Sequence, residues 1–175
     1  MKKVLILLCA ISFCSAFGQT KEKELSNAEK FSAKSGVLIQ KTFLEVGTLK
    51  TAVFSVVQYS DLMSNTKATA LKIEYESTAK YSGTKIAMLD ADEIAGLITS
   101  IKLIQDKIFP SAPTSYTEVS FKSRGGFEAG CFWSKGKWDT YLKLEKYDKD
   151  SYVFLEKEDF PPLLTLLEQA KAKMQ

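Results

Sequence analysis

Histidine is missing from this chain of 175 residues, arginine occurs once, at Arg124, and there are three cysteines and four prolines. Without an imidazole, no general base, proton shuttle or metal ligand of that kind exists. A single arginine leaves little for the paired phosphate contacts that nucleic-acid sites favour. Two of the cysteines, Cys9 and Cys14, lie in the apolar N-terminal stretch, and only Cys131 follows them. One remaining thiol cannot close a disulfide within the chain, so stability has to come from packing. After the first residues, no apolar run approaches the length that crosses a membrane.

The N-terminus has the make-up of a secretory signal. Met1-Lys2-Lys3 is a short positive region, Val4 to Phe13 is apolar, and Ala16-Phe17-Gly18 sets small residues where a signal peptidase reads. Cleavage is expected after Gly18, which leaves 157 residues and the periplasm or cell exterior as the working location. A lipoprotein is the competing reading, but Phe13 is too bulky before Cys14 and Cys9 comes too early. The leader takes two lysines with it, so the formal charge falls from +3 to +1. A chain of that length makes one domain with a real core, or two small halves sharing one.

The rest of the sequence repeats itself. In the stretch from Asp90 to Ile108, apolar Ile94, Leu97, Ile98, Ile101, Ile104 and Ile108 recur at helical spacing. Phe160, Leu163, Leu164, Leu167, Ala170 and Met174 do the same, each 66 positions later. Spacings of three and four mark the core-facing stripe of a helix. Acids precede both stripes, Asp90, Asp92 and Glu93 in one and Glu156, Glu158 and Asp159 in the other, where carboxylates cap free backbone N–H groups. Pro161 and Pro162 suit a first helical turn.

Strand signals repeat upstream of each helix. Leu71-Lys72-Ile73-Glu74 matches Leu142-Lys143-Leu144-Glu145, and Ile86-Ala87-Met88-Leu89 matches Tyr152-Val153-Phe154-Leu155. Two earlier strands are expected in each copy: Val37 to Val46 and Leu49 to Tyr59, turning at Gly47-Thr48, then Tyr116 to Lys122 and Phe127 to Trp133, turning at Arg124-Gly125-Gly126. The fold class predicted is therefore α+β, two β-β-β-β-α repeats related by a pseudo-two-fold and forming one compact domain. The copies run over 36–108 and 114–175, joined by a Pro-containing link at 109–113. A four-stranded sheet with one helix buries only one face well, and a twin can cover it. Residues 19–35 carry Leu25, Ala28 and Phe31 at a spacing of three, which fits either a short surface helix or a frayed leader.

This order of elements resembles the Whirly family of single-strand nucleic-acid binders, whose fold is a pair of such units. Plant members of that family carry Lys-Gly-Lys-Ala-Ala-Leu on a strand. Here Lys135-Gly136-Lys137 is followed by Trp138-Asp139-Thr140, so the likeness is one of element order and no binding residue is carried across. What the resemblance implies is a single-strand nucleic-acid or polyanion binder. Charge speaks against that: residues 36–108 hold eight basic against eight acidic side chains, and residues 114–175 hold ten against ten.

Chemistry-bearing side chains are few. Cys131 sits in FEAGCFWS, where alternation groups it with Phe127, Ala129 and Trp133 on one strand face. With no histidine or neighbouring lysine to activate it, it reads as a small core residue. Asp90, Asp92 and Glu93, or Asp148 with Asp150, lack the ligand count and glycine of a calcium loop and read as caps and turns. No metal and no cofactor is expected. A carboxylate-based hydrolase stays open as a third class, since acid pairs exist only in the fold.

Aromatics are the feature that points outward. Tyr116, Phe132, Trp133, Trp138, Tyr141, Tyr147 and Tyr152 crowd the second copy. Along Trp138 to Lys146, Leu142 and Leu144 turn one way with Trp138 and Thr140, while Asp139, Tyr141, Lys143 and Glu145 turn the other. Tyr141, Tyr147 and Lys143 are the candidate ligand-binding residues, with Tyr141 expected to stand exposed among charges. The function expected is an exported, non-catalytic binding protein with a protein or glycan partner.

Overall fold

A computed structural model describes residues 24–80 and 83–175. The signal peptide expected at 1–18 lies outside the described residues. Among the described residues, eight strands form two antiparallel sheets, each with its strands in chain order. The first holds β1 (Ile39–Leu49), β2 (Ala52–Asp61), β3 (Lys67–Glu76) and β4 (Thr84–Asp90). The second holds β5 (Thr117–Lys122), β6 (Glu128–Ser134), β7 (Lys137–Lys143) and β8 (Tyr152–Leu155). A short helix, α1 (Asn27–Ser32), precedes the first sheet, α2 (Ala91–Leu103) follows it, and α3 (Phe160–Lys173) follows the second. The two β4α repeats read from the sequence are present.

Both long helices bury the stripes that the spacing marked. Ile94, Leu97, Ile101 and Ile104 from the first, and Phe160, Leu163, Leu167 and Ala170 from the second, belong to one contiguous core. Phe54, Ile73 and Leu89 of the first sheet and Phe127, Leu142 and Val153 of the second complete it. Apart from Ala170, each such side chain contributes about 1.5–3 kcal/mol when taken out of water. The packing is reciprocal: α2 touches its own β3 and β4 and also β5, whereas α3 rests on β1, β2 and α2. Each helix thus reaches the first strand of the other copy, as a two-fold relation requires.

The acids before the helices repeat at atomic detail. The Asp90 N–H donates to Glu93 Oε2 at 2.9 Å, and 66 residues on the Glu156 N–H donates to Asp159 Oδ2 at 2.8 Å. In both, a carboxylate at the helix start holds the backbone group three residues back. The first helical segment is less regular than its spacing suggests, widening at Ile104–Ile108 into a π-helical turn.

Three other details depart from or complete the sequence reading. The first hairpin turns at Lys50, in a left-handed conformation with φ 52, and not at Gly47-Thr48. Gly47 instead sits at a bulge within β1, where a Cβ would lie 2.8 Å from Leu166 Cδ2 of α3. Glycine is there for close approach, not for a turn. Residues 27–32 of the leader do form a helix, closed by a capping box in which Ser26 Oγ accepts from the Glu29 N–H and Glu29 Oε2 accepts from the Ser26 N–H. Finally, the link is anchored: Phe109 packs edge-on to Phe160 at 4.9 Å, and Trp138 Nε1 donates to the Ser111 carbonyl at 2.9 Å.

Candidate functional site

Alternation on the second sheet sends Ala129, Cys131, Leu142, Val153 and Leu155 to the core. Tyr116, Phe132, Tyr141, Tyr152 and Phe154 therefore share the opposite face. Strand registry brings these rings into line. Phe132 lies opposite Glu118 and Asp139, Tyr141 opposite Gly130 and Phe154, and Tyr152 opposite Lys143. Ring centroids follow one another at 6.4 Å from Tyr116 to Phe132, 6.3 Å to Tyr141, 5.4 Å to Tyr152 and 5.8 Å to Phe154, the last pair nearly parallel at 13°. The result is an unbroken row of five rings that runs from Tyr116, the residue before β5, to Phe154 of β8. Its ends are open: Tyr116 is 65% and Phe154 66% exposed.

Tyr141 stands where the parity argument put it, but it is not exposed. Only 7% of it meets solvent, because Phe132 and Tyr152 flank its ring. Burial pushes its hydroxyl up to about 12, with help from the nearby Glu128 and Tyr152, while the Ser120 hydroxyl acts in the opposite sense. Tyr141 is the keystone of the row, held between its two neighbours. Lys143 lies beside the row with its ammonium 5.2 Å from the Tyr152 ring centre. Tyr147 is 72% exposed as expected, yet it stands apart in the loop before β8, its ring met by Lys146 at 5.3 Å.

The sequence reading missed Phe154, although the signal was there. Val153 and Leu155 are core residues, so Tyr152 and Phe154 between and before them must turn outward.

Gly130 explains how the row can lie flat. A Cβ at this position would run into the Val119 carbonyl oxygen and come within 2.8 Å of Ser120 Cα. No other residue fits between β5 and β7 here, and the Tyr141 side chain is directly opposite.

The charges of this face are matched among themselves. Glu128 pairs with Lys122 at 3.4 Å, Asp139 with Lys137 at 2.7 Å, and Glu118 accepts a hydrogen bond from the Tyr116 hydroxyl. That bond holds the Tyr116 proton on and raises its pKa.

A second cluster sits at the start of α2. Arg124, delivered by the β5–β6 turn, places Nη1 and Nη2 2.8 Å from the two oxygens of Asp92, and Nη2 2.7 Å from Asp90 Oδ2. Its backbone N–H donates to Glu93 Oε1 at 2.7 Å. Asp90 also accepts from the N–H groups of Asn27 and Ala28 at 2.7 and 3.1 Å, and so caps α1 from the side. The guanidinium hydrogen bond lowers the pKa of Asp92, and the acids raise that of Arg124. Asp90 and Glu93 form the cap that the sequence suggests, and together with Asp92 they also clamp three segments together through Arg124.

Cys131 is fully buried in the core, and desolvation pushes its thiol up to about 12. That is the environment of a packing residue and the reverse of a nucleophile's. Asp148, expected at a turn, accepts from the Asp150 N–H at 2.8 Å and pairs with Lys85 of β4 at 2.5 Å.

No protein family, curated protein or solved structure matches the chain.

Proposed function

We propose that this is an exported, non-catalytic binding protein whose second sheet offers its outer face to a neutral glycan chain. The observation that supports the reading is the row of five rings in contact, solvent-facing at both ends and set among charges that cancel in pairs. Aromatic faces stack on apolar faces of a ligand, and hydroxyls and carboxylates at the margin accept its hydrogen bonds. Tyr116 and Phe154 are the outer contacts in this reading, Phe132 and Tyr152 the middle ones, and Lys143 a flanking donor.

A single-strand nucleic-acid or polyanion binder, the reading that a Whirly-like order of elements suggests, also uses stacking platforms. It would need unmatched positive charge to hold phosphates. Here Lys122 and Lys137 are held by Glu128 and Asp139, and Lys143 by a ring. A carboxylate hydrolase needs an acid whose proton is retained. The carboxylates of Asp61, Asp92 and Asp148 are all displaced downward, the wrong way for that role.

The test is a screen of the protein lacking residues 1–18 against neutral glycans, heparin and oligonucleotides at low and high salt. Salt-insensitive retention on a neutral glycan, weakened by Tyr116→Ala and by Phe154→Ala, is the expected result. Retention confined to heparin or oligonucleotide and lost with salt would replace this reading with the polyanion one. Retention of none would leave the row as a stabilising feature or a protein contact, and the glycan reading would fall.

A further inference from the structure

β1 is an edge strand of eleven residues. It pairs with β2 on one side, and among the described residues no other hydrogen bond reaches its backbone between Ile39 and Glu45. The edge at β4 is treated differently. There Lys85 pairs with Asp148, and the Ile86 N–H reaches Glu145 Oε1 at 3.4 Å, so the loop before β8 lies along it. β8 is only four residues long. Open backbone donors and acceptors on a long edge are a template for another strand.

The side chains along β1 say which strand. Lys41, Phe43 and Glu45 lie opposite Tyr59, Val57 and Ser55 and share the outer face of the first sheet. All three are exposed, Phe43 by 57%. Glu45 has no ion-pair or hydrogen-bond partner among the described residues, and Lys41 has only the ring of Tyr59, 5.6 Å away. In sequence the stripe is Lys-x-Phe-x-Glu, which is complementary to itself when reversed.

We propose that β1 pairs with β1 of a second copy of this chain, antiparallel about a two-fold axis at Phe43. Lys41 of one copy then faces Glu45 of the other, twice over, and the two Phe43 rings meet between them. Directly opposite charges and aromatic pairs stabilise antiparallel strands, and like charges in those places oppose them. A two-fold contact doubles every such pair because the same patch serves both copies. The two first sheets become one eight-stranded sheet. Nothing in this depends on what the second sheet binds, since its aromatic row lies on the other half of the molecule.

The test is sedimentation equilibrium of the protein lacking residues 1–18, with three variants at these exposed positions and circular dichroism to confirm that each is folded. The wild type should associate to a dimer that dissociates on dilution. Glu45→Lys places lysine against lysine twice and should weaken the dimer by about tenfold or more. Lys41→Glu alone should do the same. The double exchange Lys41→Glu with Glu45→Lys restores both pairs and should return association to near the wild-type level. A wild type that is monomeric at every concentration overturns the proposal. So does a dimer indifferent to Glu45→Lys, or a double exchange as weak as the single changes.

Discussion

The outer faces of the two sheets belong to matching repeats but are finished differently. On the first sheet, α1 lies across one end, and Ala28 and Phe31 pack with Val57, Tyr59, Ala70 and Met88 into a small second core. On the second sheet nothing described covers the corresponding face, and five aromatic rings occupy it. One twin has spent its apolar outer surface on the leader helix, and the other has kept it open. The charge clamps differ in the same sense. Arg124 of the second copy reaches the acids at the start of α2, and Lys50, in the corresponding first hairpin, reaches Asp159 at the start of α3 at 3.2 Å. The symmetry is kept, but the first clamp is the one that also holds α1.

That contrast can be broken in several places. The largest effect is expected at Gly130→Ala, where the new methyl meets backbone of β5 and not a movable side chain. Its cost should exceed ~3 kcal/mol, read as a large fall in the urea midpoint. Gly47→Ala meets the movable end of Leu166 but also holds an L residue at φ 156, so a loss smaller than that of Gly130→Ala, about 1–2 kcal/mol, is expected in the same assay.

Arg124→Ala comes next. It strands Asp90 and Glu93, whose side chains are 8% and 6% exposed, with their charge uncompensated. A loss of about 2–3 kcal/mol is expected, with faster hydrogen exchange at Asn27 and Ala28 as α1 loosens. Lys50→Ala, at the symmetry-related pair with a half-exposed lysine, should cost less than about 1 kcal/mol. Equal losses would erase the distinction between the clamps.

The alkaline limb of stability sharpens the account of Tyr141. Its ordinary hydroxyl value is 10.0 and burial raises it to about 12 in the folded protein. An unfolded chain loses this proton first, so the stabilisation is complete below pH 10 and disappears as pH rises from 10 toward 12. Cys131 behaves alike from 9.0 upward. In the Cys131→Ala background, Tyr141→Phe should flatten the fall in melting temperature between pH 10 and 12, with little change at pH 7. An unchanged slope would mean that the ring is not buried as described.

Periodicity carried most of the architecture into the sequence. The stripe from Ile94 to Ile108 and its echo from Phe160 to Met174 fixed two helices, because a core-facing helix cannot be written any other way. Glycine was less readable. Gly125 and Gly126 do mark a turn, whereas Gly47 serves a close approach by a leucine from more than a hundred residues away, which no local pattern encodes. Parity placed Tyr141 on the correct face but could not say whether neighbours would cover it, since that depends on strand registry. Phe154 was legible by the same parity, between Val153 and Leu155, and only its pairing with Tyr141 across the sheet needed registry. Asp90, Asp92 and Glu93 looked complete as caps, and their arginine arrives from another copy of the repeat.

Matched substitutions on the two faces, followed by calorimetry with whichever neutral glycan the screen retains, test the central claim most directly. Phe154→Ala on the second sheet should weaken binding about tenfold or more, as loss of a stacked ring does elsewhere, while Phe43→Ala on the first leaves the affinity unchanged. Equal losses from both, or a Phe154→Ala protein that binds as tightly as the wild type, would contradict the assignment of the open aromatic face as the binding surface.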